Sequence, residues 1–414
     1  MPTAHRPTVA RRWCSRALCC LVAAATAALA LAGCASTGVT PGTNPGGQPN
    51  GQGCPVGTSL VLIVPVHQGA PAPSVPVQWR CPIESAVHAG VPISVVTAEG
   101  IPTLALAAYS PALDTTNPET MRTDSDAAQN RVIAAITNAK ATSDGNDLLA
   151  ALTLAADQAA VSGPGGVILS LDPGITDTGT VRTVEAGMTL AAPEDMATFT
   201  TEHKACPPLA DTTVIFYAVG YTSPPQPPLS RHQVANLSAT WVAVAASCGA
   251  NVSAVPLPRT GAGPTTAHTT AVAAPEPAPT MAPTATCRFE IPDSHIGFLP
   301  DSATFADQGA AAEVIAHVAA AMEGCKGAIE VTGMTSSAGT PDGRARVAAA
   351  RAQRVRDLLS AALHVDATTI TARAVGFDTA QGSVPDRVDG LLSPALALAN
   401  RKVVITVAPD AAHG

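Results

Sequence analysis

Arg351 lies in a stretch where Val347, Arg351, Val355, Leu358, Leu359 and Ala362 recur at helical spacing. An arginine on such a stripe can do one of two things. Its fork can take a carboxylate through two parallel charge-assisted bonds, or it can close an ordinary ion pair on the fold. Catalytic patterns are missing from the rest of the chain. There is no nucleophile elbow, phosphate loop, HExxH or motif of paired carboxylates. Ser162-Gly163-Pro164-Gly165-Gly166 lacks the lysine of a phosphate loop and precedes an apolar run, so it reads as a turn. His67, His88, His203 and His232 are dispersed. Together these features read as a protein that binds and does not catalyse.

The N-terminus sets the compartment. Arg6, Arg11, Arg12 and Arg16 precede an apolar run from Ala17 to Leu31. A positive region, a short apolar core and small residues at the cut site form an export signal. The run falls short of the roughly 20 residues that a spanning helix needs. Leu31-Ala32-Gly33-Cys34 resembles the bacterial lipobox. The resemblance implies cleavage before Cys34 and diacylglycerol on its sulfur, with palmitate as the expected acyl group. The mature chain would be anchored to a membrane without crossing it. A non-lipidated signal that merely ends in Cys is the plainer alternative. The expected location is the outer face of the cell membrane, or the outer membrane in a cell with two.

The chain has 414 residues and a formal net charge of -8, without a basic patch, which argues against nucleic acid as a partner. Of its ten cysteines, Cys14, Cys19 and Cys20 leave with the signal and Cys34 takes the lipid. Cys54, Cys81, Cys206, Cys248, Cys287 and Cys325 remain, an even number in an exported chain, which reads as disulfides. None makes a CxxC pair and no His clusters with them, so no metal site and no cofactor are expected. Cys287 and Cys325 fall in one C-terminal segment and are expected to pair. The other four allow three pairings, of which Cys54–Cys81 with Cys206–Cys248 is the one chosen.

Composition divides the chain. Residues 1–33 are the signal, and 34–53 a Gly/Thr/Pro/Asn/Gln-rich tether. Residues 54–258 form a first domain, 259–286 a stiffer Pro/Ala/Thr linker, and 287–409 a second domain. In the first, strands are expected at Ser59–Val66, Val91–Thr97, Thr103–Ala108, Val167–Leu171, Thr213–Val219 and Asn251–Pro256. Helices are expected at Pro82–Ala89, Ala127–Ala139, Asn146–Val161, Asp195–Glu202 and Arg231–Ser247. Near-continuous apolar strands alternating with helices predict an α/β fold with a parallel-type sheet flanked by helices. The second domain reads as α+β. Its helices are placed at Gln308–Glu323 and Gly343–Ala362, and its strands at Ala328–Gly333, Ile370–Val375 and Arg401–Val407.

Four ordered motifs in the second domain carry a family resemblance. Ile296-Gly297-Phe298-Leu299-Pro300-Asp301-Ser302-Ala303 looks like the opening strand and turn of the OmpA-like domain. Gly333-Met334-Thr335-Ser336 stands where that family has Gly-His-Thr-Asp, Arg351-Ala352 with Val355 where it has Arg-Ala and Val, and Asn400-Arg401-Lys402-Val403 where it has Asn-Arg-Arg-Val. The resemblance implies binding of the peptidoglycan stem peptide through diaminopimelate. Arg351 would take the carboxylate of a free amino-acid end, and an Asp its ammonium. This chain has Ser336 at the Asp position, Met334 at the His and Arg344 at the family's Asn. Ser brings no charge, and a charge-assisted bond is worth about 1.5–3 kcal/mol, so the expected affinity is weak. The implied binding residues are Thr335, Ser336, Asp342, Arg351, Asn400 and Arg401.

The strand–helix order of the first domain, with Val167-Ile168-Leu169-Ser170-Leu171-Asp172-Pro173-Gly174, resembles a von Willebrand factor A-type domain. That family holds a divalent cation on oxygen ligands after its first strand. Here Pro65-Val66-His67-Gln68-Gly69 offers none, so no metal is expected and Asp172 reads as a turn residue. A protein partner at the carboxyl rim of the sheet is expected by fold analogy. Thr222-Ser223-Pro224-Pro225-Gln226-Pro227-Pro228 reads as a stiffened loop or a polyproline recognition element. The whole reads as a lipid-anchored envelope protein linking membrane to cell wall. The rival reading is an interaction scaffold that has lost its small ligands.

Overall fold

Alternation along β1 (Leu60–Pro65) divides the first half into two cores. All six of its residues are buried. Val61 and Ile63 enter one apolar cluster, and Leu60, Leu62 and Val64 enter another on the opposite face. The computed structural model describes Cys54 and residues 57–185, 187–264, 283–285, 287–299 and 301–408. The signal, Cys34, the tether and most of the Pro-rich linker lie outside those residues.

The chain continues through α1 (Val77–Ala89), β2 (Ile93–Ala98), β3 (Leu104–Tyr109), α2 (Pro118–Thr137), α3 (Leu148–Ala159), β4 (Val167–Ser170), α4 (Pro193–Glu202), β5 (Thr213–Tyr217), α5 (Arg231–Ser247) and β6 (Asn251–Val255). The strands form one sheet in the order β3-β2-β1-β4-β5-β6. Helices α3, α4 and α5 cover the Val61 face, while α1 and α2 cover the Leu60 face. Burying each Leu, Ile or Val of this kind contributes about 1.5–3 kcal/mol. The expected parallel-type sheet is parallel at β2-β1-β4-β5-β6, but β3 runs antiparallel to β2. Residues 99–103 join them directly, and a parallel return needs a crossover of about a dozen residues or more.

Helices α1 and α2 start more than a turn earlier than expected. Trp79 is fully buried beside Ile83, Ala86 and Val87, and this packing carries α1 back through Pro82 to Val77. At α2, Asn117 accepts hydrogen bonds from Glu119 N and Thr120 N, and Pro118 holds the first helical position. Helix α5 matches its expected span, with a Ser230/Gln233 capping box and buried Leu237, Trp241 and Val244.

The second half contains β7 (Pro283–Ala285), β8 (Arg288–Pro292), α6 (Asp293–Ile296), α7 (Gln308–Ala321), β9 (Ala328–Met334), α8 (Pro341–Leu363), β10 (Ile370–Gly376), β11 (Arg387–Val388), β12 (Leu391–Leu392), α9 (Pro394–Asn400) and β13 (Lys402–Ala408). The sheet order is β10-β9-β13-β8-β7, and β11 with β12 forms a separate hairpin. Ile315 and Val318 of α7 and Val355 and Leu359 of α8 share a core with Ile291, Val331 and Ile405 of the sheet. Gly333 is where β9 and α8 touch, since a Cβ there would lie 2.1 Å from Ala348 O.

The opening strand of residues 287–409 also differs from expectation. It is β8, where Phe289 and Ile291 turn inward in alternation with Arg288 and Glu290. Residues 293–296 make a helical turn instead, and Phe298 bridges to Phe305 with the rings stacked at 4.8 Å. The structure contains the disulfides Cys54–Cys81, Cys206–Cys248 and Cys287–Cys325. Among the described residues, no helix is long and apolar enough to cross a membrane.

Candidate functional site

Helix α8 opens on Thr340, whose hydroxyl accepts from Gly343 N at 3.2 Å, with Pro341 in the first turn. Its first turn carries the positive end of a long helix dipole. The segment leading in from β9 is tied down on both sides. Thr335 N donates to Gly376 O at 2.9 Å, and Ser337 N to Asp386 Oδ2 at 2.7 Å. Arg344 Nη1 donates to the carbonyls of Ser337 and Gly339 at 2.9 and 2.8 Å.

These ties leave a cleft of about 240 Å³ at the head of α8, lined by Asp301, Thr335, Ser336, Arg344, Arg346 and Arg401 among others. Thr335 is 6% exposed, and its Oγ1 is sealed without a hydrogen-bond partner among the described residues. Arg346 is exposed and makes no ion pair among the described residues. The cleft therefore offers a free guanidinium, a helix N-terminus and the Asp301 carboxylate. That set suits a group carrying both a carboxylate and an ammonium.

The residues implied by the sequence divide around this cleft. Thr335, Ser336 and Arg401 line it. Asp342 is exposed on the first turn of α8 and is not among the lining residues. Asn400 is fully buried and staples the chain near α9. Its Nδ2 donates to Val384 O at 2.8 Å and to Asp386 Oδ2 at 3.1 Å, and its Oδ1 accepts from Val384 N at 2.8 Å.

Arg351 is not among the residues lining the cleft and is 2% exposed. Its Nε donates to Ser302 O at 2.9 Å, its Nη1 to Asp293 Oδ2 at 3.1 Å and its Nη2 to Leu299 O at 3.4 Å. The guanidinium also lies 4.7 Å above the Phe298 ring. Its fork is committed to α6 and the loop after it.

Arg401 is met by the first half of the chain. Asp195 of α4, fully buried, takes its Nε at 2.8 Å and its Nη2 at 2.7 Å, and Glu194 Oε1 lies 3.0 Å from Nη1. Burial pushes the Glu194 carboxyl up, and Arg401 only partly draws it back. Ser336 Oγ is 3.5 Å from Asp195 Oδ1. A carboxylate thus stands beside Ser336, but it comes from a helix far upstream. Neither that acid nor Arg346 carries a local sequence signal. Asp301 was in view, inside the 296–303 motif.

At the carboxyl ends of β1 and β4, His67 Nε2 meets Asp172 Oδ2 at 3.0 Å, and Nδ1 faces Gln68 O at 3.0 Å. Asp172 also accepts from Asn146 Nδ2 and from Gly174 N, the latter at 2.7 Å. These donors already engage both carboxylate oxygens, so the residues here do not fit a divalent cation. The Pro-rich loop is anchored inward, with Ser223 N donating to Gly69 O at 2.8 Å.

No family model matches the chain, and no curated protein matches it. Among solved structures, the cell wall anchor of the T6SS from Pseudomonas aeruginosa is 28% identical over 32% of this chain and 87% of its own, with a TM-score of 0.25. The OmpA-like domain of FopA1 from Francisella tularensis is 21% identical over 30% of this chain and 72% of its own, TM-score 0.21. The periplasmic domain of Helicobacter pylori MotB is 18% identical over 32% of this chain and 90% of its own, TM-score 0.24. The chain is similar to these proteins over about a third of its length.

Proposed function

We propose that the chain is an exported, non-catalytic envelope protein, held to a membrane by lipid on Cys34. Its OmpA-like half reaches the cell wall through the cleft at the head of α8. The ligand is the free amino-acid end of a peptidoglycan stem peptide. Asp301 faces its ammonium, and Arg346 with the α8 N-terminus faces its carboxylate. The first sheet offers its carboxyl rim to an envelope protein partner. The observation that carries the reading is that Asp301 and Arg346, which makes no ion pair among the described residues, line the same cleft. Titration of the exported chain with a diaminopimelate-containing muropeptide tests it. Saturable binding that falls about tenfold or more in Arg346→Ala supports the reading, and no binding at millimolar ligand removes it. Release of a Cys34→Ala variant from the membrane fraction tests the anchor separately.

A second reading has its own support. Arg351 and Arg401 are both paired with acids of the chain itself, as in an interaction scaffold that takes no wall ligand.

A further inference from the structure

The contact between α4 and the second half is built from charge. Asp195 and Glu194 close on Arg401 at the first turn of α4. At its last turn Glu202 accepts from Arg387 Nη1 at 3.0 Å and from Leu392 N at 2.8 Å. Three acids on one helix therefore grip two arginines and a backbone amide. Behind this grip the surfaces do not fill the space. A cavity of about 160 Å³ remains, bordered by the apolar Phe298 and Leu398 and by the charged Glu194, Asp293, Arg351 and Arg401. Buried ion pairs contribute little net stability once desolvation is counted, and the unfilled space beside them forfeits packing contacts. Such a contact is specific in register yet separable at modest cost.

Arg401 also lines the wall-facing cleft. Its side chain is then a second cationic group, beside Arg346, that an incoming carboxylate would use and that α4 already holds. We infer that α4 is an in-chain latch on the cell-wall cleft, its acids competing with the ligand carboxylate for Arg401. This rests on the reading of the cleft given above. The latch explains how a protein can carry a wall-binding cleft with its second arginine already neutralised. Binding is weak while α4 is seated and strengthens when the first half is drawn away, for example by a partner at its own rim.

The test compares the exported chain with two variants, by muropeptide titration and by amide hydrogen exchange of residues 193–202. Asp195→Asn removes the bidentate partner of Arg401. Because it leaves that arginine poorly paired, Glu202→Gln is the second variant, loosening the far end of α4 and leaving the Arg401 pair intact. The latch predicts faster exchange in α4 for both variants, and affinity raised about tenfold in Asp195→Asn and less in Glu202→Gln. In the unaltered chain, added muropeptide should also speed exchange in α4. Binding by the unaltered chain with equal affinity in both folded variants overturns the latch and leaves the wall reading standing. No binding by any of the three overturns the wall reading, and the latch with it.

Discussion

His67 and Asp172 form a buried ion pair, ring Nε2 to carboxylate Oδ2 at 3.0 Å, at the end of the two central strands. The other ring nitrogen faces the Gln68 carbonyl. Both nitrogens face oxygen atoms, an arrangement that the doubly protonated, charged ring satisfies by donating twice. Burial opposes that charge, but the Asp172 hydrogen bond and charge, with Gln68 O and Asp177, outweigh it and hold the pKa above its ordinary value.

Because the folded pKa is the higher one, this pair stabilises the fold fully below about pH 6.5. The contribution is lost as pH rises through the folded value. Urea unfolding of the native chain should show stability falling by about 1.4 kcal/mol per pH unit in that window, relative to His67→Asn. Parallel pH profiles for the two proteins would show that the ring is neutral.

Arg351 is expected to behave as a structural residue. Its side chain and that of Asp293 are 3% and 14% exposed, so removing one partner strands a buried charge. Arg351→Ala should cost about 3–5 kcal/mol in denaturant unfolding, and replacing both residues with apolar ones considerably less. Wall binding lost in Arg351→Ala should then follow the unfolded fraction. At a concentration of osmolyte that restores folding, binding should return.

How far this was legible in the sequence depended on the range of the interaction. Ser230 before Val234, Leu237, Trp241 and Val244 announced α5 because a cap and a helical stripe are local. The alternating and continuous apolar runs placed β1, β4, β5 and β13 for the same reason. The direction of β3 follows from the short link at residues 99–103, which leaves no room for a crossover. The site was harder. Motif register put Thr335, Ser336 and Arg401 in one cleft, yet it could not tell which arginine faces outward. That depends on Asp293 and Phe298 closing over Arg351, and on Asp195 crossing from a helix 206 positions before Arg401. Such pairings leave no periodic trace.

Gly174 tests the joint between the first sheet and α5. It sits at φ +75°, and a Cβ there would come within 2.4 Å of Trp241 Nε1, which donates to Gly174 O at 3.0 Å. Gly174→Ala should therefore cost about 1–3 kcal/mol through backbone strain, with further loss as the indole is displaced. Tryptophan emission in the folded state should shift to the red. A variant with unchanged stability and emission would mean that the turn does not hold Trp241.

The last prediction concerns the charge logic of the cleft. If Asp301 faces the ammonium and Arg346 the carboxylate of a free amino-acid end, the two halves of the ligand can be removed one at a time. Acetylating the free amine of the muropeptide should weaken binding to the unaltered chain about tenfold, the worth of one charge-assisted bond. The same modification should do almost nothing to Asp301→Asn, because the pairing it removes is already gone. Amidating the carboxylate should give the matching pattern with Arg346→Ala. These cycles separate recognition of a zwitterion from simple attraction of an anion. Attraction of an anion alone would make the acetylated ligand bind more tightly, since it carries more net negative charge toward Arg346.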